Sequence, residues 1–182
     1  MSIHKELAFE DEICAVMSTQ GWLFNEGDAA DYDRARALFP ADVITWVKET
    51  QPEAWERLEA SNGVAAEAVL LDRLRRTLDD RGTLEVLRQG IELMGQRQPI
   101  ALCQFKPALA MNPETLTRYK ANRLRVVRQV RYSLHNEKCI DLVLFLNGIA
   151  VATVELKTDF TQSVEDAVYQ YRFDRQPRPK GQ

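Results

Sequence analysis

The chain has 182 residues, 45% of them hydrophobic and 28% charged, and a formal net charge of −3. This composition excludes disordered, fibrous and low-complexity classes and fits one domain, or one domain with a large insertion. Three scattered cysteines and two separate histidines, His4 and His135, argue against a disulfide framework, a zinc site and a histidine-rich metal centre. A reducing cytoplasm is the expected compartment. No apolar run reaches the length of a membrane span, the acidic start is unlike a signal peptide, and no Gly-rich phosphate loop ending in Lys-Ser/Thr is present.

In chain order, residues 5–20 read as a helix with Leu7, Cys14 and Met17 on one seam, ended by Gly21. Glu10 lies in that seam, and a carboxylate in an apolar stripe is costly without a partner. Residues 28–92 read as an acidic helical insertion after the first helix: 32–38, 41–49, 52–59, 65–78 and 83–92, with Pro52 at a first helical position. Residues 100–105 are expected as a strand. Asn112 then caps a helix that opens at Pro113 and runs to about Ala121. Residues 123–134 alternate towards strand. Residues 140–146 and 149–154 are apolar strands joined by Asn147-Gly148, a strong hairpin signal, and such apolar runs belong in a sheet covered on both faces. Val164, Ala167, Val168 and Tyr171 describe a short amphipathic helix capped by Ser163, with Asp166 at its third position. Residues 175–182 read as a linker. The fold class expected is α/β in the broad sense (α+β), a mixed sheet core flanked by helices.

The net charge conceals an asymmetry. Residues 1–110 carry 12 Lys+Arg and 19 Asp+Glu, a net of −7; residues 111–182 carry 12 and 8, a net of +4, and the two restore −3. A basic second part suggests a polyanion partner. Its basic groups cluster over Arg118–Arg131, including Arg123 and Arg128, and again from Arg172 to Lys180. Phosphate contacts from them would give salt-sensitive affinity without sequence preference.

The chemistry centres on the hairpin, where Asp141 opens one apolar strand and Glu155 and Lys157 close the other. Glu155 and Lys157 are two apart and share a face. A regular two-residue turn would pair Asp141 with Val154 and oppose the carboxylates. A three-residue loop or a single bulge would bring all three side chains to one face. Two carboxylates and a lysine so placed match the needs of phosphodiester hydrolysis: hard oxygen ligands for Mg²⁺ and an ammonium to position water and meet charge on phosphate. Glu10 is a candidate further ligand. The competing structural reading makes the Glu-Leu-Lys triplet an exposed edge pair and the arginines a solvated strand face.

The order Asp141, then Glu155-Leu156-Lys157 after a hairpin, resembles the D…E-x-K signature of the PD-(D/E)xK nuclease superfamily. The stretches RLRVVRQVRYS, DLVLFLNGIAVATVELK and VEDAVYQYRFDRQP, together with FEDEI…GW and TQPEAWERL, are similar to the N-terminal nuclease domain of the R subunit of type I restriction enzymes. The resemblance covers most of the chain. It implies a restriction-endonuclease-like core with residues 1–174 as an endonuclease domain, 28–92 as its helical insertion and 100–174 as the catalytic sheet and following helix. It also implies Mg²⁺-dependent cutting of double-stranded DNA, coupled to ATP through a C-terminal helicase-like motor beyond the linker, in a complex with modification and specificity subunits. By position, Asp141 and Glu155 would hold metal, Lys157 would be the catalytic lysine, and Glu10 would be the acid of the first core helix. Gln170 would open the family's Q-x-x-x-Y motif, but Asp174 stands where that motif has Tyr. Two other readings remain: a solitary repair or resolvase-like nuclease of the same superfamily, and a non-catalytic helical docking module.

Overall fold

In a computed structural model, which describes residues 2–109, 111–156, 163–169 and 172–173, the first apolar seam forms α1 (Ser2–Thr19). Gly21, at φ +91, follows its end. A short α2 (Asp28–Asp31) precedes the helical layer of α3 (Pro40–Thr50), α4 (Pro52–Asn62), α5 (Ala66–Arg81) and α6 (Thr83–Gln89). Pro40 and Pro52 each open a helix, where the missing N–H costs no hydrogen bond. Trp46, Leu58, Leu70, Leu74 and Val86 meet in the core of this layer. Each fully buried leucine there contributes about 1.5–3 kcal/mol. The layer is not a lobe apart from the sheet, because Ile149 of the hairpin belongs to the same core.

Two expected elements take other forms. Residues 32–38 are a turn rather than a helix: Asp33 accepts from the amides of Ala35 and Arg36, and Ala37 adopts φ +56. A side chain that takes up successive amides stabilises a turn at the expense of the helix. The Asp33 carboxyl lies below its usual range: burial raises it, but hydrogen bonds from Arg36 and Ala35 outweigh that. Residues 100–105 form no strand beyond a single bridge between Ile91 and Ile100. Side chains satisfy this segment instead. Ala101 exchanges hydrogen bonds with Gln51 and accepts one from Trp46, Asn147 donates to the Leu102 carbonyl, and Asn122 exchanges two with Gln104.

Next comes α7 (Pro113–Lys120), whose Asn112 cap accepts from the amides of Glu114 and Thr115. It leads into a three-stranded sheet of β1 (Leu124–Arg131), β2 (Cys139–Leu146) and β3 (Ile149–Val154), in the order β1-β2-β3. The architecture is α+β, as expected. Both ladders are antiparallel, and the parallel link recorded among the described residues is one bridge between Leu23 and Arg125. The central strand β2 is covered on both faces. Leu142 and Leu144 pack with Val126 against Cys14, Ile13 and Met17 of α1, while Val143 and Phe145 pack with Val127 and Phe39 on the other side. The expected double coverage does not extend to β3, where Val151 is 43% exposed and Ala152 and Thr153 are exposed too. A short α8 (Val164–Tyr169) follows, closed by the reciprocal Ser163–Asp166 box.

Candidate active site

The hairpin turn and its bulge decide which side chains meet. Asn147 and Gly148 have φ of +49 and +81, the left-handed pair that a two-residue hairpin turn demands. A Cβ on Gly148 would fall 2.4 Å from the Phe39 carbonyl oxygen, so glycine is required twice over. From this turn Leu146 pairs with Ile149 and Phe145 with Ala150; the register then shifts, and Leu144 pairs with Ala152, Val143 with Thr153 and Leu142 with Val154. Val151 is the extra residue. The ladder ends there, and one further step of the same register would set Asp141 across from Glu155, on a common face. The contact just past the ladder agrees: the Leu156 amide donates to Asp141 Oδ2 at 2.7 Å. Val154 and Leu156 turn the other way, onto the α1 side. Lys157 lies outside the described residues, so its place beside Glu155 rests on the sequence.

Glu10 is 2% exposed, and the partner required by a carboxylate in an apolar seam comes from β1. Gln129 Nε2 donates to Glu10 Oε1 at 2.8 Å, and Arg128 Nε stands 3.4 Å from Glu10 Oε2. Arg128 also pairs with Asp11. One turn further along α1, the Cys14 thiol is pushed up to about 11, chiefly by burial and secondarily by the charge of Glu10.

The arginines of β1 are similarly engaged. Arg123 donates to Asp42, and the buried Arg125 is held between Asp42 and Asp28 at 2.6 Å from each, with Phe39 beneath its guanidinium at 4.3 Å. Burial works against the Arg125 charge, but bonds to Asp42 and Asp28 hold its pKa above the ordinary value. Arg131 pairs with Glu137. Arg172 is exposed, and Gln170 lies outside the described residues. Among the described residues no group of three or more His, Cys, Asp or Glu gathers as a metal cage. Sequence reasoning passed over Gln129, Asp28 and Asp42. Of these only Asp42 carries a signal, as an acid four residues from Trp46 on a buried helix face.

A family model described as type I restriction enzyme R protein N terminus matches residues 46–181. The chain belongs to this family. The matched span of the restriction-subunit domain takes in the whole sheet and Asp141, Glu155, Lys157 and Gln170, whereas α1 with Glu10 lies before it. No curated protein and no solved structure matches the chain. No helix among the described residues is long and apolar enough to cross a membrane.

Proposed function

We propose that the chain is the Mg²⁺-dependent endonuclease domain of a type I restriction R subunit. In this reading it hydrolyses phosphodiester bonds of double-stranded DNA while a helicase-like motor of the same subunit, fuelled by ATP, translocates the duplex. The observation that carries the reading is the bulge at Val151. Without it the two-residue turn would leave Asp141 and Glu155 on opposite faces; with it the register, carried one step past Leu142 and Val154, would bring them to one. A bulge beside a functional site re-aims side chains in this manner.

The donors suit Mg²⁺. They are carboxylate oxygens, and this cation is commonly bound through one or two carboxylates, with waters and substrate phosphate completing its shell. A full cage of acids is therefore not needed. Asp141 and Glu155 would hold the ion, and the Leu156 amide fixes the rotation of the Asp141 carboxylate. Once bound, Mg²⁺ supplies polarisation of the phosphoryl group and a more acidic water. Glu10, held by Arg128 and Gln129 on the α1 side of the sheet, would stand outside the ion's shell. Lys157 would orient the attacking water and meet the charge gathering on phosphate.

DNA would lie across this end of the sheet. Gln170 and the exposed Arg172 would contact its backbone, and Arg123 and Arg128 could join by exchanging carboxylate partners for phosphates. No base-reading element is recognisable, which suits a cutter whose sequence recognition is delegated to specificity and modification subunits in the cytoplasm.

Lys157→Ala in the assembled complex tests the reading. Cleavage of double-stranded DNA should fall at least about a hundredfold with ATP hydrolysis intact. Unchanged cleavage, or equal loss of both activities, would count against the assignment.

A further inference from the structure

Gln129 sits mid-strand in β1 with φ +51, a left-handed conformation that a long side chain rarely adopts. Its neighbours Arg128 and Val130 pair with Leu142 and Ile140, so Gln129 stands level with Asp141. The side chain bridges two elements: Nε2 donates to Glu10 Oε1 on α1 at 2.8 Å, and Oε1 accepts from the Cys139 thiol of β2 at 2.8 Å. Both ends of the amide are thus fixed, one donating and one accepting.

The backbone turn has a visible consequence. Val126 and Leu142 face α1, and strict alternation would send Val130 and Ile140 the same way. They pack instead with Phe39 and Phe145 on the opposite side. The sheet changes facing at the level of Gln129 and Asp141. A glycine would take this conformation with less strain, so the presence of a long amide points to a use for the side chain.

We propose that Gln129 is a positioning residue for the nuclease centre: its amide ties α1 to β2 at the level of Asp141 and fixes where that carboxylate is presented. This rests on the nuclease reading above. Gln129 touches neither DNA nor the reacting phosphate; it acts through Asp141 and Glu10.

Two variants of the full R subunit, assembled in its complex, separate side chain from backbone. Gln129→Gly accepts the left-handed conformation freely and removes the amide. Gln129→Asn also tolerates it but is one methylene too short for the bridge. The expected result is a single-turnover cleavage rate at saturating DNA reduced about 10–100-fold, with half-saturating DNA concentration, ATP hydrolysis and melting midpoint unchanged. Whichever variant keeps the wild-type melting midpoint is the decisive one. Wild-type cleavage by that variant would overturn the proposal, as would a lowered melting midpoint in both, which would make the role structural. Lys157→Ala, measured alongside, keeps two failures apart. If it abolishes cutting while Gln129→Gly cuts normally, only the positioning role falls; if it cuts normally, the nuclease reading itself falls.

Discussion

Asp42 is 1% exposed and accepts from two arginines, with Arg123 Nε at 2.9 Å and Arg125 Nε and Nη2 at 2.6 and 3.1 Å. Asp28 closes the far side of Arg125. A buried charge is tolerable only when paired and hydrogen-bonded, and removing one partner strands the other. Asp42→Ala should therefore destabilise the fold by about 3–5 kcal/mol in urea denaturation, and a loss under about 1 kcal/mol would show that the network is not holding Arg125. These partners explain why the arginines of β1 are hard to interpret from sequence. Arg123, Arg125, Arg128 and Arg131 form a basic stripe in the linear order, whereas their acids come from positions 42, 28, 10, 11 and 137. Ion pairs between distant segments leave no local pattern, and the stripe suggests a DNA face where the fold has internal partners.

The β2–β3 hairpin is where element-level reasoning succeeds and also where it stops. Asn147-Gly148 is legible because both turn positions require positive φ, and Asn112-Pro113 because capping and an N-terminal proline are local chemistry. A shared face for the two carboxylates requires an odd loop or a bulge, and the strands contain a bulge. Its position is not legible, since AVAT holds no glycine or other marker at Val151. The misread segments share one cause: a side chain supplies what a helix or a neighbouring strand would otherwise supply. Asp33 does so for the 33–38 turn, and Gln51, Asn122 and Asn147 do so for residues 101–104. Inserting one alanine between Thr153 and Val154 tests the hairpin directly. With the turn and the bulge kept, the added residue takes the place of Val154 opposite Leu142, so that Asp141 faces Val154 and Glu155 turns to the opposite face. Cleavage by the assembled complex should disappear while the far-ultraviolet circular dichroism keeps its strand content. Near-normal cleavage by the insertion variant would show that a shared face for the two carboxylates does not assemble the site.

At the scale of the molecule, the −7 and +4 of the two parts are not simply an acidic lobe and a DNA-binding lobe. Glu10, Asp11, Asp28 and Asp42 of the acidic part neutralise Arg123, Arg125 and Arg128 of the basic part, and these pairs bind α1 and the helical layer to the sheet. Electrostatic asymmetry in the sequence thus becomes cohesion in the fold. That suits a domain of the R-subunit family, in which a larger assembly would bring the duplex to the site. The central claim is that the bulged hairpin presents Asp141 and Glu155 together as a phosphodiesterase centre. The most direct measurement is Mg²⁺-dependent double-strand cleavage of circular DNA by the complex carrying Asp141→Asn, with ATP hydrolysis followed in the same reaction. Cleavage should be reduced at least about a hundredfold with ATP hydrolysis at the wild-type rate; cleavage at the wild-type rate would contradict the claim.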